Sequence, residues 1–157
     1  MGVDKIKPNV YGGTPASRCY IGYTQGVFDM FHIGHLNLLN HAKEKCDYLI
    51  VGVNKDALVR QYKNKTPVVG ENERLAIVSN IKSVDQCVLV DTLDKVALWK
   101  QLRFDRIFIG DDWKGNPRWI RTEKDLAQYG VNLVYLPYTK DVSSTMLRGE
   151  HENRVEG

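Results

Sequence analysis

The sequence predicts an α/β fold: a single domain with one open, parallel sheet of about five strands and helices on both faces of the sheet. Two observations lead to this prediction. The chain has 157 residues, of which 43% are apolar, and this suits one globular domain with a sizeable core. After residue 18, short apolar runs alternate with segments of helical spacing, as expected for βαβ units. Such crossovers are nearly always right-handed, so the arrangement is Rossmann-like, with ligands beyond the carboxyl ends of the strands.

The predicted strands are short apolar runs separated by polar or helical segments. They cover Cys19–Thr24, Tyr48–Val53, Gln86–Val90, Arg106–Gly110 and Asn132–Leu136. The predicted helices between them cover Gly34–Cys46, Glu71–Ile81, Asp94–Leu102 and Ile120–Tyr129. In the first helix, an apolar stripe along one side is formed by Leu36, Leu39 and Ala42.

Both ends of the chain differ in composition from its middle. Residues 1–18 contain several prolines and glycines and few core-type residues, so we expect a flexible N-terminal extension there. The folded domain is expected over residues 19–150, and residues 151–157 are expected to form a disordered tail. No apolar run approaches the length of a membrane span, and the first residues lack an apolar segment with a cleavage site. We therefore expect a soluble protein without membrane association.

Charge and cysteine usage exclude several classes of function. There are 22 basic and 19 acidic residues, and a net charge of +3 is too small for a general nucleic-acid binder. Any anion site must therefore be local. The three cysteines are far apart and odd in number, which argues against a disulfide framework or a cysteine zinc site. A reducing cytoplasm is the simplest setting for such a chain.

The loop after the first predicted strand carries most of the candidate chemistry. His32 and His35 are three residues apart at a helix start, so both rings can face one side, near backbone N–H groups that favour anions. Gly34 leaves room for a polyphosphate to approach the backbone between them. Two other readings remain open: a zinc site, for which no third ligand of suitable spacing follows, and two surface histidines with ordinary partners.

The segments Gly26-Val27-Phe28-Asp29 and His32-Ile33-Gly34-His35 resemble the GxFD and HxGH signatures of the cytidylyltransferase-like nucleotidyltransferases. That superfamily includes glycerol-3-phosphate, choline-phosphate and ethanolamine-phosphate cytidylyltransferases and some adenylyltransferases. The resemblance implies the HxGH nucleotidyltransferase type of fold, Mg²⁺ bound mainly through the triphosphate, and a homodimer. It also implies nucleotide binding by a set of loop residues, namely Gly26, Val27, Phe28, Asp29, His32, Gly34 and His35. Asp29 is equally suited to a place near Mg²⁺ or to fixing the loop.

A lysine pair extends the resemblance. Lys63 and Lys65 precede Arg74 at the distance found in glycerol-3-phosphate cytidylyltransferases, where such a pair contacts the phosphates of both substrates. By that resemblance Lys63 faces the acceptor phosphate and Lys65 faces the triphosphate. A lysine-rich loop on its own would be read as a solvated surface.

The segment Gly110–Gly115, with the sequence GDDWKG, is closest to the glycerol-3-phosphate branch of the superfamily. Neighbouring side chains that leave a strand point in different directions, so the two carboxylates are expected to have separate roles. We place Asp111 near the nucleotide. Trp113 is either a packing residue or an aromatic wall of the acceptor pocket, and the sequence leaves both readings open.

The last matching segment begins at Tyr138 and resembles the RTEGISTT motif. The resemblance implies nucleotide binding by Tyr138, Thr139, Ser143, Ser144 and Thr145, and the last three have the residue types that cap a helix. Several positions depart from the family pattern. In this segment Tyr138 replaces an arginine, Lys140 a glutamate and Asp141 a glycine. Elsewhere Lys82 replaces an arginine, Val27 replaces a threonine, and a tryptophan expected near Thr92 is missing. We expect Lys140 to supply charge on the acceptor side and Lys82 to act on the triphosphate.

The expected function is therefore a cytidylyltransferase that transfers CMP from CTP to a small phosphorylated alcohol, with glycerol 3-phosphate as the first choice. The expected catalytic residues are His32, His35, Lys65 and Lys82, and the expected acceptor-binding residues are Lys63, Trp113 and Lys140. No protein-held metal site is expected. The alternatives are another phospho-alcohol as acceptor, an adenylyltransferase of the same fold acting on a sugar phosphate, and a nucleotide-binding module that has lost catalysis.

Overall fold

A computed structural model describes residues 18–138, which form one parallel sheet of five strands. The strands are β1 Ile21–Gly26, β2 Tyr48–Asn54, β3 Gln86–Val90, β4 Arg106–Gly110 and β5 Asn132–Leu136. The helices of the described residues are α1 Ile33–Glu44, α2 Asp56–Lys63, α3 Glu71–Ser79, α4 Lys95–Leu102 and α5 Pro117–Ala127. The strand order is β3-β2-β1-β4-β5, and every neighbouring pair is parallel, so the predicted open parallel sheet is confirmed.

Two apolar cores cover the two faces of this sheet. Successive residues of a strand point to opposite faces, and β2 accordingly sends Leu49 and Val51 into one core and Ile50 into the other. The first core is closed by α1 and α3, through residues that include Leu39 and Val78. The second core is closed by α4 and α5, through residues that include Leu98, Leu102, Trp119 and Leu126. The predicted placement of helices on both faces is therefore confirmed.

The strand order places a crevice at the carboxyl ends of β1 and β4. These two strands are neighbours, but the chain that leaves β1 enters α1 on one face, whereas the chain that leaves β4 leads to α5 on the other face. Connections that diverge in this way leave a gap above the ends of the two strands, and ligands of open α/β sheets bind at such a switch point. The loop that holds both histidines starts at the end of β1.

Strands β1 and β2 extend beyond their predicted carboxyl ends, because the polar residues Gln25 and Asn54 are buried there. The first strand runs from Ile21 to Gly26 rather than over Cys19–Thr24, since pairing with β2 starts at Ile21 and continues through Gln25. The buried side chain of Gln25 is hydrogen-bonded inside the protein, so a residue that looked like loop belongs to the strand. The second strand likewise continues by one residue to Asn54.

The bounds of α1, α3 and α4 differ from the predicted ones by one or two residues, and the larger differences are at α2 and α5. Helix α2 was not predicted, because it has only eight residues and Lys55 at its N-cap makes no side-chain capping bond. Helix α5 starts at Pro117, three residues before the predicted start, and its cap is Asn116, whose side chain accepts the N–H of Arg118 at 2.9 Å. None of the helices in residues 18–138 combines the length and the apolar character that crossing a bilayer requires.

Candidate active site

The loop between β1 and α1 has a strained backbone that is held by packing. Phe28 and Met30 have φ angles of 56° and 49°, in the left-handed region that non-glycine residues rarely occupy. Such a conformation costs roughly 1–3 kcal/mol and persists only where the surroundings fix it. The ring of Phe28 is buried, and its centroid lies 5.4 Å from that of His35 in an edge-to-face contact. The loop is therefore fixed against the first turn of α1.

The two histidines cap α1 reciprocally. Nδ1 of His32 accepts the N–H of Gly34 at 3.0 Å, and Nδ1 of His35 accepts the N–H of His32 at 3.2 Å. The rings stack with centroids 3.9 Å apart and an angle of 25° between their planes. A ring nitrogen that accepts a hydrogen bond carries no proton, so each neutral ring carries its proton on Nε2. The backbone thus sets both rings to act as Nε2–H donors.

Neither of these donors has a protein partner in the described part of the chain. Nε2 of His32 and Nε2 of His35 are both buried, and within residues 18–138 no atom accepts a hydrogen bond from them. A buried donor without a partner costs about 1–3 kcal/mol, and native proteins contain few of them. Two side by side at a helix start are suited to the oxygens of a phosphate group. The pair therefore has the geometry of a phosphate site.

Both histidines are held in the neutral form. Burial, with a smaller contribution from the neighbouring His32, lowers the pKa of His35 to about 3. Burial also lowers the pKa of His32. At neutral pH the two rings therefore donate hydrogen bonds without carrying full charges. In residues 18–138 they are not part of any group of three or more possible metal-binding side chains, so the zinc alternative gains no support.

Asp29 fastens the loop that carries the second lysine. Its two carboxylate oxygens accept the N–H groups of Val68 and Val69 at 2.8 and 2.9 Å. The loop between α2 and α3, which starts at Asn64 and contains Lys65, is thereby tied to the histidine loop. Of the two roles predicted for Asp29, this contact supports the fixing of the loop. Lys63 is the last residue of α2, where this loop begins, whereas Asp29 holds the loop near its other end, at Val68 and Val69.

Arg74 joins four segments beneath the site. Its buried guanidinium donates to the carbonyl oxygens of Val27 at 2.9 Å, Asn54 at 2.8 Å and Val69 at 2.7 Å. It also forms an ion pair with Asp56 in the first turn of α2. The ends of β1 and β2, the lysine loop and α2 are thus held by one side chain. In the sequence this arginine served only to mark the spacing of the lysine pair, and nothing there showed its partners.

A buried chain of polar side chains ties α2 to the end of β1. The hydroxyl of Tyr23 donates to Gln25, Nε2 of Gln25 donates to Asn54 at 2.9 Å, and Nδ2 of Asn54 donates to the hydroxyl of Tyr62 at 3.0 Å. Nε2 of Gln25 also donates to the carbonyl of Thr92 at 3.0 Å. Since Tyr62 precedes Lys63, this network sets the position of the first lysine. Sequence reasoning missed all of these residues, because each is a single polar residue near the end of a strand or helix.

The GDDWKG segment joins the ends of β4 and β5. Asp111 begins a short 3₁₀ turn, Asp111–Trp113, and its carboxylate accepts the N–H of Tyr138 at 3.2 Å. Trp113 is half-buried and packs against the core under α4 and α5, which supports the packing reading of this residue. Tyr138 is half-buried at the carboxyl end of β5.

Several predicted site residues are not brought to the histidines. Lys82 is exposed in the connection between α3 and β3, where the neighbouring Ser83 donates to Asn40 in the second half of α1. This connection reaches the amino ends of the strands, since the N–H of Asp85 donates to the carbonyl of Leu49. The structure therefore puts Lys82 at the opposite edge of the sheet, away from a triphosphate bound at the histidines of the same chain. The remaining predicted residues, Thr139, Lys140, Ser143, Ser144 and Thr145, lie outside the described residues.

The fold and the histidine pair define an α/β domain with two buried N–H donors at the switch point of its sheet. The chain belongs to the cytidylyltransferase-like family, because that family model matches residues 23–150. The predicted resemblance to this superfamily is therefore confirmed at the level of the family.

Three comparisons give examples of similar proteins. The chain is 43% identical over 94 residues to the bifunctional protein HldE of Caulobacter vibrioides, a match over 59% of this chain and 20% of that protein. It is 36% identical over 125 residues to the FAD synthase of Korarchaeum cryptofilum, a match over 78% of this chain and 84% of that protein. The solved structure of a lipopolysaccharide core biosynthesis protein from Thermoplasma volcanium matches 80% of this chain with a TM-score of 0.67 and 28% identity. The chain thus spans about a fifth of the length of the HldE protein.

Proposed function

We propose that this chain transfers a nucleoside monophosphate from a nucleoside triphosphate to the phosphate of a small phosphorylated alcohol or sugar, with release of pyrophosphate. The observation that carries this proposal is the pair of buried Nε2–H donors of His32 and His35, which lack an acceptor within residues 18–138. They lie beyond the end of β1 at the switch point of the sheet, where nucleotides bind in open α/β folds.

The neutral state of the histidines fits the chemistry of this reaction. A phosphomonoester has a second pKa of about 6 and is mostly a dianion at neutral pH, so its oxygen can attack without a strong general base. The new bond joins that oxygen to the α-phosphorus, and the bond from the α-phosphorus to the pyrophosphate oxygen breaks. The protein therefore has to align the two substrates and stabilise the negative charge that develops on the phosphates. Two preorganised N–H donors serve this purpose without a proton transfer.

Mg²⁺ fits this site mainly through oxygens of the triphosphate. Both carboxylate oxygens of Asp29 accept backbone N–H groups, and no group of three or more possible metal ligands is found in residues 18–138. When bound with the nucleotide, Mg²⁺ would neutralise part of the phosphate charge. The chain's own contribution is the pair of histidines and the lysine loop, which Asp29 fastens beside them.

The choice between CTP and ATP as the nucleotide depends on two different observations. The GDDWKG segment at Gly110–Gly115 favours CTP and glycerol 3-phosphate, by its resemblance to that branch of the superfamily. The 36% identity to an FAD synthase over most of its length favours adenylyl transfer, since FAD contains an adenylyl group. We take transfer from CTP to glycerol 3-phosphate as the first candidate and transfer from ATP as the second. The family resemblance also leads us to propose a homodimer, which light scattering would test.

Pyrophosphate release is the direct test. Wild-type protein with Mg²⁺ is given CTP or ATP together with glycerol 3-phosphate, other phospho-alcohols, sugar phosphates or FMN. In His32→Asn, the side-chain oxygen can still accept the N–H of Gly34, but the Nε2–H donor is lost. We expect turnover of one nucleotide and a loss of about 10²–10³ in kcat in this variant, as for other preorganised donors.

A matched control uses a histidine farther along the same helix. His41 lies in the last turn of α1, and His41→Asn is expected to leave kcat unchanged. The proposal fails if neither nucleotide yields pyrophosphate with any acceptor of the panel, or if His32→Asn is as active as the wild type.

A further inference from the structure

A second cluster of polar groups lies at the same edge of the sheet, on the face covered by α4 and α5. A cavity of about 100 Å³ opens between the start of α4 and one side of α5, and its polar lining residues are Asp94, Lys95, Arg118, Thr122 and Asp125. It adjoins the end of β1, because the chain leading to α4 is tied there by the hydrogen bond from Gln25 to the carbonyl of Thr92. The cavity therefore lies beside the proposed nucleotide site but on the other face of the sheet.

Lys95 is a buried cation in the wall of this cavity. It is only 4% exposed, its Nζ donates to the carbonyl of Leu93 at 3.0 Å, and Nζ lies 5.1 Å from the centroid of the Trp119 ring. Burial, followed by the positive charge of Arg118, lowers the pKa of Lys95 to about 7, and the carboxylate of Asp94 acts in the opposite direction. Burying an ammonium group beside a guanidinium is costly, and such arrangements are concentrated at functional sites.

Arg118 connects this cavity to the lysine segment of α2. Its guanidinium lies 5.8 Å from the Trp113 ring and 5.7 Å from the Trp119 ring. It is also close enough to Tyr62 to act electrostatically on the phenol, and Tyr62 precedes Lys63. Arg118 of α5 therefore lies near Lys95 at the start of α4 and near Tyr62 at the end of α2.

The positions of these cations in their helices add to the local positive charge. Lys95 is the first residue of α4 and Arg118 is the second residue of α5, and neither helix has an acidic residue in its first turn. The N-terminus of a helix carries a partial positive charge and favours anions, so a cation there is unfavourable by some tenths of a kcal/mol. The carboxylates of Asp94, the N-cap of α4, and Asp125 line the same cavity, so it offers two cations for a phosphate and two carboxylates for hydroxyl groups of one ligand.

We propose that Lys95 and Arg118 form the subsite that binds the phosphate of the acceptor, and that the acceptor is a small polyol or sugar phosphate. This rests on the proposed nucleotidyl transfer. The cavity volume is about that of three water molecules in the liquid, which accommodates a phosphate group. Thr122 and Asp125, which line the same cavity, offer acceptors to hydroxyl groups of a polyol. Arg118 thus selects the acceptor by its phosphate and Asp125 by its hydroxyls.

The first experiment measures steady-state kinetics with the acceptor that supports turnover. Arg118→Ala is expected to raise the KM for the acceptor by about 10-fold to 100-fold, as for loss of a hydrogen bond to a charged group, and to leave the KM for the nucleotide unchanged. Arg118→Lys should recover part of this loss, since a point charge remains without the planar fork. The control is Lys124→Ala, which removes an exposed positive charge from the last turn of the same helix and should change neither KM.

The second experiment does not depend on turnover. Binding of inorganic phosphate is measured by calorimetry for the wild type, Arg118→Ala, Lys95→Met and Lys124→Ala. The subsite predicts that the first two variants bind phosphate at least about tenfold more weakly, whereas the Lys124 variant binds like the wild type. Equal affinities in all four proteins, or no binding to the wild type at millimolar phosphate, would overturn the subsite.

The two experiments separate the subsite from the proposed function. Wild-type protein that releases no pyrophosphate but shows the expected phosphate affinities refutes the transfer reaction and supports the anion site. Wild-type protein that is active, with an acceptor KM that Arg118→Ala leaves unchanged, supports the transfer reaction and refutes the subsite.

Discussion

Acidification should destabilise this protein through His35, because the folded state holds this ring in its neutral form. The pKa of His35 is lowered from 6.5 to about 3, first by burial and then by the neighbouring His32. Between these two values the unfolded chain binds a proton at His35 and the folded chain does not. The unfolded state therefore gains stability as the pH falls from about 6.5 towards 3, and the free energy of unfolding decreases by about 1.4 kcal/mol for each pH unit. At pH 4 the free energy of unfolding is therefore lower than at pH 7 by roughly 3 kcal/mol through His35 alone.

The variant His35→Asn isolates this contribution. Its side-chain oxygen can take the place of Nδ1 as the acceptor for the N–H of His32, but it does not titrate. Urea unfolding at pH 7 and pH 4 gives the loss of stability on acidification for both proteins. Carboxylates lower the stability of the wild type and of the variant equally on acidification, so the difference between the two proteins reports on His35. We expect the free energy of unfolding of the wild type to fall by about 3 kcal/mol more than that of the variant. Equal losses, or a pKa of His35 near 6.5 by NMR titration, would refute the claim that the ring is held neutral.

Three further predictions follow from the contacts around the site. The variant Arg74→Met leaves three backbone carbonyls and a carboxylate without their donor. Urea unfolding should show that its free energy of unfolding is lower by about 3–5 kcal/mol. The control is Arg60→Met, which should change the free energy of unfolding little because Arg60 is exposed. Asp29→Ala releases the lysine loop, so amide exchange in that loop should accelerate and the KM for the nucleotide should rise; unchanged exchange would contradict the tether. Burial raises the pKa of Cys46 to about 11 and that of Cys87 to about 12, so both thiols should react slowly with a disulfide reagent at pH 8 until the protein is unfolded.

The sheet could be predicted from the sequence because its strands are continuous apolar runs. In a parallel sheet covered on both faces the inner residues of each strand are buried or half-buried, so a strand is a short apolar segment bounded by polar residues. The strands β3, β4 and β5 have this form, and their predicted bounds agree with the observed ones. The histidine pair was predicted for a similar reason, since its geometry depends on the local start of one helix.

The remaining features of the site could not be predicted, because they depend on contacts between residues far apart in the sequence. Arg74 contacts Val27, 47 residues away, and Asp29 contacts Val69, 40 residues away, so no local pattern reveals either partner. Lys82 was placed with the nucleotide by position in a motif, whereas the connection that carries it reaches the other edge of the sheet. No sequence pattern singled out Lys95, whose burial depends on packing against Trp119, 24 residues farther along the chain.

The two proposed sites would suit an in-line displacement, because they lie toward opposite faces of the sheet. The attacking oxygen and the leaving oxygen must lie on opposite sides of the α-phosphorus. The histidine loop lies toward the face covered by α1 and α3, and the cavity with Lys95 and Arg118 lies toward the face covered by α4 and α5, with the end of β1 between them. A triphosphate held by the histidines and an acceptor phosphate held by the two cations would therefore approach one another from opposite faces of the sheet.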